Sequence, residues 1–427
     1  MKTTAVIAEY NPFHNGHFYQ LNKIKETADS DFIIVIMSGE FTQRGLPAIC
    51  DKKIRTRIAL EHGADLVIEL PVIFSTGSAQ IFALGAINIL NYLNCVDYLV
   101  YGTEQIEDYT VFKKLVSLLY NEPDNFKVSL KANISNGLSY PAAIEKAALS
   151  CMDISENTAD FKNLFLPNNM LATEYEKQLL KLNSAIVSKP LYRIGNGFSD
   201  TGLDSEFVSA TALRKHLKEN KLYNLENYMP KSAACMMNDY FSRYCPVFED
   251  DFSYMLYSAI LNNFSDSDKK PLPYNYTDYN TDNFFIDCND SLNNKIKKNI
   301  DEFYSFSQFT SLLKSKDFTY NRISRSLCHI MLNLRNDSLT LVKNTNDCFY
   351  ARILGFNKKA APLLKEIKSN SQIPIISKTA DASEILSPDA LKIFNQTIDA
   401  ANLYHGICRI KSNRKTYNEY QFSPVII

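Results

Sequence analysis

Short apolar runs rich in β-branched residues recur along the first half of the chain, at 4–9, 32–37, 66–70, 98–101 and 186–194. Stretches with helical spacing of apolar positions separate them, from His17, over 52–62, over 78–93 and over 167–182. The runs at 32–37, 66–70 and 98–101 are almost continuously apolar rather than alternating, which is the pattern of strands buried on both faces. The spacing therefore predicts an α/β domain over residues 1–220, a doubly wound parallel sheet that residues 105–200 complete. Such a sheet holds its ligand outside the carboxyl ends of its strands. Loops 11–17, 38–47 and 102–104 all follow strand ends and should share one cleft.

Beyond the 220/221 boundary the pattern changes. Eleven of the thirteen glycines precede residue 203, and the later sequence is rich in Asn, Tyr, Phe and Lys, with helical periodicity at 248–261, 323–334 and 358–367. Residues 221–427 read as a mainly α-helical domain, with 263–280 as a long loop or linker.

Composition narrows the function classes. The 427 residues carry 46 Lys and Arg against 47 Asp and Glu, so a nucleic-acid surface would have to come from local clusters. Two basic clusters exist: Lys314, Lys316, Arg322 and Arg325 interleave with Phe318 and Tyr320, and Arg409, Lys411, Arg414 and Lys415 follow later. Either can contact phosphates while rings stack on unpaired bases, and a solvated helix face explains them equally well. Apolar runs such as 32–37 and 64–70 are far shorter than the roughly 20 residues that span a bilayer, so a cytoplasmic protein with no membrane partner is expected. Nine cysteines without a C-x-x-C pair read as reduced, mostly buried thiols with no disulfide and no zinc site.

The chemistry concentrates in Asn11-Pro12-Phe13-His14-Asn15-Gly16-His17, an H-x-G-H motif between the first strand and a helix. Gly16 lets backbone approach a phosphate, the helix start points its positive end there, and two imidazoles can donate to it. The arrangement suits attack on the α-phosphorus of ATP, where fixed donors stabilise charge that builds on the phosphoryl oxygens and on pyrophosphate. Zinc ligation by the His pair lacks further ligands nearby, and no metal site is expected. His62, His216, His329 and His405 stand alone and read as surface or core side chains.

This motif resembles that of the HIGH-type nucleotidyltransferase superfamily, with its Rossmann-like fold. The strings Ala8-Glu9-Tyr10-Asn11-Pro12-Phe13-His14-Asn15-Gly16-His17, Met37-Ser38-Gly39-Glu40-Phe41-Thr42-Gln43-Arg44-Gly45-Leu46-Pro47-Ala48 and Asp65-Leu66-Val67-Ile68-Glu69-Leu70-Pro71 resemble one family closely, the bacterial tRNA(Met) cytidine acetate ligases. The likeness continues through Tyr101-Gly102-Thr103-Glu104, Pro167-Asn168-Asn169-Met170-Leu171-Ala172, Arg193-Ile194-Gly195 and Ser209-Ala210-Thr211-Ala212-Leu213-Arg214, and more faintly at Leu354-Gly355-Phe356-Asn357.

The resemblance implies a two-step reaction: ATP and acetate give acetyl-adenylate and pyrophosphate, then the N4 amine of the wobble cytidine in elongator tRNA(Met) takes the acetyl group. It implies His14 and His17 as catalytic residues. For ATP, with Mg2+, it implies Ile7, Ala8, Glu9, Tyr10, Asn11, Pro12, Phe13, His14, Asn15, Gly16, His17, Phe18, Tyr19, Gln20, Gly102, Asn168 or Asn169, and Arg193, the second Asn being favoured because N-capping explains the first. Ser209, Thr211 and Arg214 occupy the place of a second phosphate motif, while Arg44, Lys52 and Arg55 are unranked candidates for neutralising pyrophosphate. The basic residues Lys314, Lys316, Arg322 and Arg325 become candidates for tRNA, with no role for DNA. A small-molecule adenylyltransferase is the competing expectation; the chain's length favours the RNA-modifying ligase.

Overall fold

A computed structural model describes residues 1–27, 30–106, 108–152, 159–193, 207–219, 225–264 and 284–427. Most of the expected linker, the end of the run expected over 186–194 and the 220/221 boundary lie outside the described residues.

Eight strands form one mixed, mostly parallel sheet: β1 (Thr3–Ala8), β2 (Phe32–Ser38), β3 (Leu66–Leu70), β4 (Tyr98–Thr103), β5 (Val187–Tyr192), β6 (Ala351–Phe356), β7 (Ile375–Ile376) and β8 (Val425–Ile426). Their order is β5-β4-β1-β2-β3-β6-β7, with β8 also on β6. The continuous apolar runs are explained by burial on both sides. Ile34, Ile36, Leu66 and Ile68 belong to one core, and Ile33, Val35, Met37 and Val67 to the other. Succession runs from β1 outward in both directions, to β2 and to β4, so the crevice between their carboxyl ends is the switch point where such sheets hold ligands.

The expectation that residues 105–200 complete the sheet is corrected. Among the described residues they add only β5 at one edge; the other edge is closed from the C-terminal half by β6, which pairs antiparallel with β3. The helical half is therefore no separate lobe from 221 onward. One self-contained helical cluster, with Leu256, Leu292, Phe309, Ile323 and Leu327 at its centre, precedes β6, and the chain then returns to the main core through Tyr350, Leu363 and Phe394.

A buried charge cluster fixes that return. Lys52 lies 2.6 Å from Glu69 and 2.5 Å from Glu419, and Arg352 lies 2.7 Å from each of the same carboxylates. Glu40 faces Arg55 at 3.2 Å and His405 at 3.5 Å. Three carboxylates thus meet three cations and one imidazole, none of them solvated. Glu40, His405 and Glu419 bring ligand atoms within 4.8 Å of one another, as a metal would require, but Lys52 and Arg352 already supply the countercharge at Glu419. Six of the nine free cysteines are buried.

Candidate active site

At the carboxyl end of β1, Tyr10 adopts a left-handed backbone, φ 48°, and the chain turns into α1 (Asn15–Thr27). The two imidazoles stack there with ring centroids 3.7 Å apart. His14 Nδ1 accepts the Gly16 N–H at 3.1 Å, and His17 Nδ1 accepts the His14 N–H at 3.2 Å. A nitrogen that accepts cannot carry the proton, so both rings are Nε2–H tautomers. Burial, followed by Arg193 and Arg214, pushes His14 down to about 3. Burial, followed by His14 and Arg193, also holds His17 well below the ordinary range. Two neutral rings thus each offer one N–H donor. Gly16 is needed because a Cβ would lie 2.9 Å from His14 Cε1, where the ring folds back over the backbone.

The expected backbone anion site at this helix start is corrected. The Asn15 N–H donates to the Tyr228 carbonyl at 2.8 Å, Gly16 to His14 Nδ1, and His17 and Phe18 to the His14 carbonyl at 2.9 and 3.1 Å. The imidazole Nε2–H groups are what the motif presents. Free backbone donors lie instead at the Ala210–Glu219 helix: the Ala210 and Thr211 N–H groups have no acceptor among the described residues. Ser209 Oγ accepts from Ala212 N at 3.1 Å, and Arg214 spans from the Asn11 carbonyl at 2.7 Å to Thr211 Oγ1 at 3.1 Å, tying the two motifs together.

All of this surrounds a cavity of about 370 Å³. Of the sequence candidates, Ile7, Ala8, Glu9, Tyr10, Asn11, His14, Gly16, His17, Tyr19, Gln20, Gly102, Asn168, Arg193, Ser209, Thr211 and Arg214 line it. The expected sharing of one cleft by three loops is met by residues 11, 14, 16 and 17, by Gln43 and Arg44, and by Gly102.

Several candidates stand elsewhere. Phe13 is a core side chain, 5.0 Å from the Tyr10 ring, and Pro12 is buried without lining the cavity. Asn15 and Phe18 face a second, more open hollow with Asn22 and Pro230. The favoured Asn169 is fully buried and spends its amide on backbone, accepting the Glu104 N–H at 2.8 Å and donating to the Glu104 and Asn163 carbonyls at 2.6 and 2.7 Å. Asn168 is the one at the cavity, 2.5 Å from Glu104 Oε1. The space over Gly102 is taken by Arg193, whose Cγ would lie 2.9 Å from a Cβ there.

Lys52 and Arg55 are also removed from the leaving-group candidates. The first belongs to the buried charge cluster, and the second organises loops, donating to the carbonyls of Glu9 at 2.8 Å, Ser38 at 2.9 Å and Cys50 at 3.1 Å. Arg44 remains at the cavity, its pKa lowered by burial against the opposing pull of Glu9. Burial likewise brings Arg214 down to about 10.

Sequence reasoning missed Phe82, Tyr101, Leu171 and Tyr175, which add apolar and aromatic wall, and Asn321, which comes from the C-terminal half. It also placed Arg325 in an RNA-facing patch, whereas Arg325 lines this cavity. Among the described residues, four arginines and a single carboxylate, Glu9, therefore face the space, the charge balance expected for a polyanionic nucleotide. Among the lone histidines, His62 and His329 are core residues bonded to the Ile58 and Ile286 carbonyls.

Residues 1–419 match the HIGH Nucleotidyl Transferase family. The chain is 38% identical to the tRNA(Met) cytidine acetate ligase of Clostridium perfringens over the full length of both, and 40% identical to that of Clostridium tetani over 88% of this chain and 90% of the relative. It also superposes on the crystal structure of Thermotoga maritima TmcAL bound with alpha-thio ATP with a TM-score of 0.86, at 27% identity, covering 100% and 99% of the two chains. The chain belongs to the HIGH nucleotidyl transferases and, within them, to the family of the tRNA(Met) cytidine acetate ligases.

Proposed function

We propose that this chain joins acetate to the N4 amine of the wobble cytidine of elongator tRNA(Met) at the expense of ATP. A carboxylate oxygen of acetate attacks the α-phosphorus, forming the O–P bond as the bond to pyrophosphate breaks. The cytidine amine then attacks the acetyl carbon, a C–N bond forms, AMP leaves and the amine loses a proton. Acetate is already an anion at neutral pH, so the first step needs alignment and charge stabilisation rather than a general base.

The observation that carries this reading is the pair of neutral imidazoles, each with its Nε2–H unspent among the described residues, at the β1/β4 switch point of a cavity walled by arginines. His14 and His17 act as the donors that follow charge at the α-phosphate. Ala210, Thr211 and Arg214 receive the pyrophosphate, and Asn168, Gly102 and Arg193 border the nucleoside. Mg2+ would take its ligands chiefly from phosphate oxygens and water, since Glu9 is the one carboxylate among the described residues that faces the cavity and its Oε1 already accepts the Gln43 N–H at 2.8 Å. Residues 1–220 carry most of this chemistry, and the helical region after 221, which also sends Asn321 and Arg325 to the cavity, meets the RNA. Lys314 and Lys316 are exposed, and the Arg322 guanidinium lies 5.0 Å from the Phe318 ring, a surface suited to a loop's phosphates. No helix among the described residues is long and apolar enough to cross a membrane; the cytoplasm, where tRNA and ATP meet, is the proposed place of action.

Incubation of the protein with unmodified tRNA, ATP and labelled acetate, followed by mass spectrometry of the nucleosides, tests the reading. Labelled N4-acetylcytidine should form without any acetyl-coenzyme A, with AMP and pyrophosphate released. ADP and phosphate as by-products would place the attack at the γ-phosphate and sink it.

A further inference from the structure

Gly45 ties the catalytic loop to the C-terminal half. Its φ is +69°, and a Cβ there would lie 2.5 Å from Arg325 Cα and 2.7 Å from the Ser324 carbonyl, so this loop and the Tyr320–Met331 helix touch backbone to backbone. That contact sets Arg325 beside Arg44, and both line the cavity. Arg214 lines it too and feels the charge of Arg44.

Arg325 is held in a specific way. Its Nε donates to Asp287 Oδ2 at 2.6 Å, while its two terminal NH2 groups have no hydrogen-bond partner among the described residues. Asp287 is itself pinned: its backbone is left-handed, φ 64°, and its carbonyl accepts from Ser326 Oγ at 3.2 Å, one residue along the same helix. A guanidinium gripped at Nε keeps a pair of parallel N–H donors, the geometry that suits phosphate.

We propose that Arg325, aimed by Asp287, clamps the pyrophosphate portion of ATP together with Arg44 and Arg214, so that the C-terminal helical unit completes the adenylation site. This rests on the nucleotidyl-transfer reading and adds a cation from the C-terminal half to Arg44 and Arg214, Lys52 and Arg55 being committed elsewhere. It also separates Arg325 from Lys314, Lys316 and Arg322, which remain with the RNA.

The test is isothermal titration of AMP, ATP, pyrophosphate and tRNA into the full-length protein and three variants: Arg325→Gln, Arg325→Lys, and Arg325→Gln combined with Asp287→Asn, which removes the carboxylate the single change would orphan. ATP and pyrophosphate should bind roughly ten- to a hundredfold more weakly in both Gln variants, the range for one charged hydrogen-bonding group, with AMP and tRNA affinity unchanged. Arg325→Lys should recover part of the loss, keeping the charge but not the fork. Equal weakening of AMP and ATP would overturn the assignment in favour of a structural role. Weakened tRNA with unchanged pyrophosphate would overturn it by showing that the phosphate belongs to the RNA backbone. Absence of ATP binding in the unaltered protein would instead strike the nucleotidyl-transfer reading itself.

Discussion

Replacing His14 or His17 separates a neutral donor from a charged one. Because each Nδ1 accepts a backbone N–H, the donor of each ring is Nε2, and Gln places its amide nitrogen near that position whereas Asn places it near Nδ1. Single-turnover formation of acetyl-adenylate should fall about 10²- to 10³-fold in either Ala variant, roughly 2.7–4 kcal/mol, with Gln retaining more activity than Asn. Displacement of His14 from 6.5 to about 3 corresponds, at about 1.4 kcal/mol per pH unit, to roughly 5 kcal/mol that bound ATP would have to supply before an imidazolium became the working form near neutrality. The wild-type rate should therefore be flat from pH 6 to 8. A tenfold fall per pH unit above about 6.5, or Asn outperforming Gln, would refute the neutral Nε2–H assignment. Stability has a matching sign: the unfolded chain takes up a proton near 6.5 that folded His14 refuses, so the stability from this site is complete above that value and is lost as pH falls from about 6.5 toward 3.

Truncating the buried charge cluster, by Glu419→Ala or Arg352→Ala, should lower unfolding free energy by about 3–5 kcal/mol in urea titrations, because one partner is left buried and uncompensated; a loss below about 1 kcal/mol would show that the cluster is not dry. Neutralising Lys314, Lys316 and Arg322 together should lower the slope of log tRNA affinity against log salt by about 0.7–0.9 per lost phosphate contact, while adenylation in the absence of tRNA persists. An unchanged slope would remove this surface from the RNA interface.

The part of the fold that was legible in the sequence is the part whose strands are buried on both faces by local choice of residues. β2 is a continuous apolar run and β3 is one but for Glu69, so length and composition predict them. β6 escapes because Arg352 interrupts its run, and that arginine is tolerated only because Glu69 and Glu419, 283 and 67 residues away in sequence, neutralise it. β7 and β8, two residues each, are too short to carry any period. The faint likeness around Gly355 did mark the place: a Cβ there would meet the Val425 carbonyl at 2.6 Å, where β8 closes on β6.

For the site, the asymmetry is between what a loop does for itself and what the fold asks of it. His14, Gly16 and His17 bond to one another within four residues, so their spacing alone announces a built device. Asn168 and Asn169 are indistinguishable as neighbours, and helix phase decides between them: one amide turns to the cavity and the next is consumed by the Glu104 and Asn163 backbone. Lys52, Arg55, Arg44 and Arg325 look alike as cations in a sequence, yet burial sorts them by what each one faces. A cation surrounded by the protein's own acceptors, as Lys52 and Arg55 are, has no electrostatic capacity left for a ligand. One held at a single edge beside an open cavity, as Arg325 is, keeps donors that no described residue satisfies, and that difference follows from the pairing of residues 287 and 325 rather than from either residue alone.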